Sequence, residues 1–256
     1  MPHGGMSQLS QVAHYNVNEE AALSGSWEQI KTVDGEMRCY VTAPDSTPAP
    51  GVVVAQHAGG VDEFVRGMCD RFAEAGFVAI APDLYHREEP DSKDDPMTRM
   101  SRLRDRTIIT DMIAAVEFAR SLEQVGAGKL GVTGFCMGGR VAYLMAGATD
   151  AFSASVVFWG GNIMQPWRDG PSPFDITNHI SCPVLGLFGE DDPNPNPADV
   201  AKIDAEMTRL GKAHEFHSYA GAGHAFMNES RPSYRAEASA DAWKRAVAWF
   251  NRHLRR

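Results

Sequence analysis

Cysteine is scarce in this chain. Four stand in 256 residues, far apart at Cys39, Cys69, Cys136 and Cys182. They form no Cys-x-x-Cys pair and no Cys/His cluster at metal-ligand spacing, which excludes a structural zinc site and a dense disulfide frame. Cys39, Cys69 and Cys182 are expected to be buried free thiols. Long apolar runs are also missing. No window reaches the roughly 18 consecutive apolar residues of a membrane span. Residues 1–24 are polar and hold no apolar stretch of a secretory leader, so the cytoplasm is the expected compartment. Positive charge is in deficit: 24 Lys and Arg against 33 Asp and Glu leave a formal net charge of −9. Such a chain is a poor binder of nucleic acid or anionic membrane. There is no P-loop, no dinucleotide glycine pattern and no internal repeat. No cofactor and no metal is implied.

What is present suits an enzyme of one α/β domain. The hydrophobic fraction is 43%, enough for a substantial core. Residues 1–25 are polar and weakly periodic and are expected to be an N-terminal extension, lying over the surface or disordered. Residues 26–256 read as one domain. Trp27 to Val33 and Met37 to Thr42, joined at Asp34-Gly35, predict a hairpin. Apolar runs then alternate with helical patterns. Val52–Ala55 precedes a helix over about 62–75, and Phe77–Ile80 precedes one over about 105–122. Further strands are predicted at 129–133, 154–158, 183–188 and 214–219, with a helix over 197–210. Continuous apolar strands are buried on both faces, so a mostly parallel sheet flanked by helices on both faces is expected. Trp243, Val247, Phe250 and Leu254 make the packing stripe of a C-terminal helix. The charged segment from His86 to Arg104 follows a strand end and is expected to be a solvated loop or a partial lid.

The most informative stretch is Gly134-Phe135-Cys136-Met137-Gly138-Gly139. It joins the apolar run at 129–133 to the helical pattern from Val141. A strand, a sharp glycine-flanked turn and a helix are the context of a nucleophile elbow. The turn lifts its central residue above the sheet, over a helix N-terminus. Here that residue is a cysteine, and a helix N-terminus favours a thiolate.

A nucleophile needs a base, and the base an orienting acid. In α/β-hydrolases these follow in the order nucleophile, acid, histidine. Glu190, Asp191 and Asp192 follow the strand at 183–188. Asp192 is the first choice, Asp191 the second and Glu190 the third. Of nine histidines, His224 stands apart, in a glycine-bracketed loop after the last strand.

Together these residues resemble the dienelactone hydrolase family of α/β-hydrolases. The resemblance rests on 134–139, Ala81-Pro82-Asp83-Leu84-Tyr85, Phe188-Gly189-Glu190-Asp191-Asp192, Ala222-Gly223-His224-Ala225-Phe226 and the tail from Tyr234 to Phe250. It extends from about Trp27 to the C-terminus. It implies an α/β-hydrolase fold, a catalytic triad of Cys136, Asp192 and His224, and an oxyanion hole from the backbone N–H groups of Met137 and Ala58. The sequence departs from the family in two places. His57 stands where the family has a Glu beside the resting thiol, so it is either a proton acceptor or a spectator of the pocket. The family also grips a substrate carboxylate with two arginines. Arg87 matches the first, but Asn228 takes the place of the second. Trp159, after another strand end, is a candidate pocket wall or a core residue.

The expected function is hydrolysis of a lactone or enol ester through a thioester. The alternatives are a broad carboxylesterase of the same fold and, more remotely, a non-enzymatic binding or thiol-redox protein. The expected partner is a small-molecule ester or lactone, with no nucleic acid and no membrane, and the chain is expected to be a monomer or homodimer.

Overall fold

The structure is a computed structural model, and it describes residues 25–89, 92–168 and 170–255. Apart from Gly25, the N-terminal extension expected over 1–25 lies outside the described residues. A hairpin of β1 (Ser26–Thr32) and β2 (Gly35–Thr42) opens the chain. Next come β3 (Gly51–Ala55), α1 (Glu63–Glu74), β4 (Val78–Pro82), α2 (Pro96–Arg102) and α3 (Asp105–Ser121). After these follow β5 (Leu130–Phe135), α4 (Met137–Ala148), β6 (Ala154–Phe158) and a 3-10 turn (Phe174–His179). The last elements are β7 (Val184–Gly189), α5 (Pro197–Arg209), β8 (His214–Tyr219) and α6 (Ala236–Leu254).

The strands form one eight-stranded sheet in the order β1-β2-β4-β3-β5-β6-β7-β8. Only the β1–β2 and β2–β4 pairings are antiparallel. The central strands are buried along their whole length, as their unbroken apolar sequences predict. Side chains alternate between two cores because successive residues of a strand point to opposite faces. In β3, Val53 and Ala55 join the core under α3, α4 and α5, while Val52 and Val54 join the core under α1 and α6.

Several details differ from the periodicity. α6 buries Trp249 along with Phe250 and Leu254, while Trp243 and Val247 are only partly covered. Trp243 instead packs at a tilt against Phe72 and lies under the Arg71 guanidinium. The charged segment after β4 contains α2, a short helix with no buried residue, capped by Asp95 and begun by Pro96. Lacking a core-facing stripe, it left no periodic signal. Cys39, Cys69 and Cys182 are free and buried, as expected, and burial pushes the Cys39 and Cys182 thiols up to about 12. Among the described residues, no helix is long and apolar enough to cross a membrane.

Candidate active site

The carboxyl ends of β3, β5, β6, β7 and β8 all open onto one rim of the sheet, where ligands of open α/β sheets bind. Cys136 follows β5 directly, with φ 58° and ψ −117°. That conformation is costly for a non-glycine residue, by about 1–3 kcal/mol, and persists only where the surroundings enforce it. The enforcement is visible here. A Cβ on Gly134 would run into the Gly138 carbonyl, one on Gly138 into the Ala55 carbonyl, and one on Gly139 into the Phe158 carbonyl. The three glycines let α4 start directly against β3 and β6. Among the described residues, the non-glycine positive-φ positions are Cys136, Trp159, Asn162, Arg168 and Ala225. All but Arg168 line the cavities beside Cys136, so backbone strain gathers at this rim.

His224 lies after β8, and its Nδ1 is 2.8 Å from Asp192 Oδ2. Asp192 is 2% exposed, and its other oxygen accepts the Asn194 N–H at 2.8 Å. Glu190 and Asp191 are exposed, so of the three acids only Asp192 turns inward. Burial opposes a charged His224 ring. Hydrogen bonding to Asp192 and to Cys136, with the negative charge of both, outweighs it and pushes the ring up to about 10. The surroundings therefore favour an imidazolium at His224, held against the Asp192 carboxylate.

Met137 and Ala58 line the smaller cavity together with Cys136. Met137 opens α4, so its N–H has no partner within the helix. Tyr85, part of the Ala81–Tyr85 motif but given no site role from the sequence, ties the two residues together. Its hydroxyl donates to the Ala58 carbonyl at 2.9 Å and lies 3.7 Å from Met137 Sδ.

The remaining sequence candidates divide. His57 lines the cavity with Cys136, but its Nε2 sits 2.7 Å from Asp62 Oδ2. Phe64 packs against its ring at 5.7 Å. A Cβ on Gly59 would press into this pair, 2.8 Å from His57 Nε2 and 3.0 Å from Asp62 Oδ2. Burial raises the Asp62 carboxyl, but the adjacent imidazole and the helix amides overcome it and hold the group below its usual range. Trp159 is both wall and core. It lines the cavity and is 1% exposed, with its ring centroid 4.9 Å from that of Phe226. Asn228 also lines the cavity, but its carbonyl is taken by the Ser230 N–H and hydroxyl at 3.0 and 2.7 Å.

Arg87 is not brought to the cavity. Its guanidinium is forked by Asp34 at 2.7 and 2.8 Å and by Asp111 at 2.6 and 2.8 Å. The reason is electrostatic: Asp111 on α3 is 1% exposed, and a buried carboxylate demands a cation. Arg87 answers it, and hydrogen bonds to Asp111, with those to Asp34, hold its proton more tightly than usual. Sequence reasoning missed Arg231. It lines both the cavity of about 750 Å³ that holds Cys136 and an adjoining groove of about 680 Å³. Asp34, His86 and Asp111 sit close enough to share a cation, but the Arg87 guanidinium already satisfies both carboxylates.

A mostly parallel sheet with a cysteine at a strained strand-to-helix elbow, a late histidine and an acid on the penultimate strand's loop is the arrangement of an α/β-hydrolase fold. Crystal structures of distant members share this fold, among them an acylaminoacyl peptidase of Pyrococcus horikoshii (16% identity, TM-score 0.74, 97% of this chain and 44% of that one). The profile of the Dienelactone hydrolase family matches residues 37–254, and the chain belongs to that family. Among its relatives, a protein of Methylorubrum extorquens named "Putative carboxymethylenebutenolidase" is 34% identical over 88% of this chain and 80% of its own length. A protein of Bradyrhizobium named "Probable 2-oxo-3-(5-oxofuran-2-ylidene)propanoate lactonase" is 33% identical over 91% of this chain and 96% of its own. A crystal structure from Klebsiella pneumoniae described as a "Putative Dienelactone Hydrolase" superposes with a TM-score of 0.84 at 31% identity, covering 91% of this chain and all of that one.

Proposed function

We propose that this chain hydrolyses a lactone or enol ester with Cys136 as nucleophile, His224 as acid and base, and Asp192 as the group that orients His224. The observation that carries this is the 2.8 Å contact from Asp192 to His224 at a cavity that Cys136 also lines. The Cys136 thiolate attacks the ester carbon, and the Met137 and Ala58 amides hold the oxyanion. Collapse breaks the C–O bond, and the His224 imidazolium gives its proton to the departing oxygen. His224, now neutral, takes a proton from water as that water attacks the thioester. The Cys136 thiolate then leaves, and the carboxylic acid product is released. A thiolate departs easily, so acylation goes forward best when the oxygen leaving group is stabilised, as in an enol ester or lactone.

The names of the relatives point to a small lactone that bears a carboxylate. Two features favour the broader carboxylesterase reading: Arg87 is spent on Asp34 and Asp111, and Asn228 carries no charge. Among the described residues, Arg231 is the arginine that lines the cavity. The test is kcat/KM for a carboxylate-bearing dienelactone against its neutral methyl ester, with Cys136→Ala as the blank. A strong preference for the acid that Arg231→Ala removes supports the lactonase. Equal turnover of the neutral ester supports the carboxylesterase. Full activity in folded Cys136→Ala refutes the mechanism, as does the absence of a thioester mass on Cys136 after rapid quench.

A further inference from the structure

The space around Cys136 has two limbs of different size. One is a chamber of about 240 Å³ that reaches Cys136 and His224, walled on its apolar side by Met97, Met100, Met137 and Trp167 and lined also by Asn162, Asp192 and Asn194. The other is the cavity of about 750 Å³. It shares His57, Asp62, Phe64, Asn228 and Arg231 with the open groove beyond it. Both limbs are mostly apolar, but the chamber is the smaller, and the second limb continues into a groove lined by Asp62, Glu63, Arg71, Glu229 and Arg231.

The chamber is a built feature. One wall, Trp167, is anchored on a buried ion pair. Arg140 is 0% exposed, and Asp105 grips it at 2.5 and 2.9 Å. The Asp105 carboxylate accepts the Trp167 backbone N–H at 2.8 Å, and the Trp167 carbonyl accepts the Asp105 N–H at 3.2 Å. The Arg140 guanidinium lies 4.1 Å from the centroid of the Trp167 ring. The opposite wall is pliable. Helix α2 has no buried residue, yet Met97 and Met100, one turn apart, line the chamber, and Met97 is 62% exposed. Ion pairs from Arg99 to Glu88 and from Arg102 to Asp94, both at 2.5 Å, tie α2 to the preceding loop. A flexible thioether wall facing a fixed indole accepts apolar chains of varied shape.

We propose that this chamber is the acyl subsite, and that the preferred substrate carries a compact apolar acyl group of roughly four to six carbons, its volume matching roughly eight water-sized groups. The proposal rests on the thiol-hydrolase reading above. The order of events assigns the limbs. The acyl group stays bound to Cys136 until water cleaves the thioester, so it belongs in the limb that holds it. In an open-chain enol ester the leaving group departs at acylation, so it takes the limb that continues into the open groove, where Arg231 meets the developing negative charge.

The experiment compares two ester series. One varies the acyl chain from acetyl to octanoyl on a p-nitrophenyl leaving group. The other keeps the acetyl group and lengthens the leaving group. In the acyl series kcat/KM should rise by about 4-fold per methylene up to the chamber's length, at about 0.8 kcal/mol per buried CH₂, and then fall. The leaving-group series should stay flat. Met100→Gln puts a polar amide on the wall of a helix that carries no fully buried residue, and it should flatten the acyl series, as should Trp167→Ala. An acyl dependence that survives in both variants overturns the proposal, and so does chain selectivity that follows the leaving group. A second readout does not need ester turnover: the rate at which alkyl methanethiosulfonates convert the Cys136 thiolate to a mixed disulfide, with sulfinate leaving. If esters are not turned over but labelling quickens with chain length and Met100→Gln flattens it, the chamber stands and the hydrolase reading falls. Labelling independent of chain length overturns the chamber even where turnover is seen.

Discussion

Asp192→Asn isolates the link between acid and base. The variant keeps the volume and keeps an oxygen for the Asn194 N–H, which now bonds Asp192 Oδ1 at 2.8 Å. It removes the charge facing His224. The ring is pushed from 6.5 up to about 10 in the native protein. That shift corresponds to roughly 5 kcal/mol, at 1.36 kcal/mol per unit. Asp192 and Cys136 share it, and the His224 side chain is 34% exposed, so solvent screening cuts the share of Asp192 to about 2 kcal/mol. The sign follows from the raised value. The imidazolium persists below about 10 and is lost as pH rises through it, so this group sets the alkaline limb of kcat/KM, which reports the free enzyme. Removing the carboxylate should draw that limb down by about 1.5 units. The new amide would also present an N–H toward His224 Nδ1 and favour the wrong tautomer, so kcat/KM at neutral pH should fall about 100-fold or more. The assay is a pH–rate profile on a p-nitrophenyl ester from pH 5 to 10.5. Asp191→Asn serves as the control, because Asp191 is exposed. An alkaline limb that stays in place, with activity within about 3-fold of native, would refute the reasoning. Equal losses in Asp191→Asn would do the same.

The remaining predictions concern the frame. Gly138→Ala drives a Cβ into the Ala55 and Gln56 carbonyls, neither of which is a flexible side-chain end. It should destabilise by about 3 kcal/mol and lower Tm by roughly 6–12 °C, as read by thermal denaturation. Arg87→Met strands the buried Asp111 carboxylate and should lower Tm by a similar amount, while KM for a carboxylate-bearing ester stays within about 2-fold. A rise in that KM at unchanged Tm would restore Arg87 to the substrate site. Asp62→Ala removes both the cap that accepts the Val65 N–H at 3.2 Å and the partner of His57. It should cost about 1 kcal/mol of stability. If His57 only lines the pocket, the acid limb of the pH–rate profile should stay where it is.

Much of the fold was legible in the sequence because it follows from local rules. Unbroken apolar runs such as Val52–Ala55 predict buried parallel strands, and the residues are indeed split between two cores. Three glycines around Cys136 encode an elbow because each removes a Cβ that would meet neighbouring backbone. The place of His224 in a loop after the last strand follows from chain order alone. Choosing among Glu190, Asp191 and Asp192 was a different kind of question. All three are acids in one loop, and only the turn after β7 points Asp192 inward to His224. Arg87 shows the same divide. Its position in the motif suggested a substrate clamp, yet the buried Asp111, 24 residues away, claims it. Helix α2 and the Met/Trp chamber escaped the pattern because α2 turns its methionines toward a cavity and has no fully buried residue. Arg231 was silent for a related reason, since a lone cation in a loop carries no period. Backbone geometry and burial leave their mark in neighbouring residues, so the sequence by itself determined the sheet, the elbow and the histidine loop. Pairing of charges and the walls of a cavity join residues far apart in the chain. Only tertiary packing decided which acid, which cation and which apolar side chains meet at Cys136.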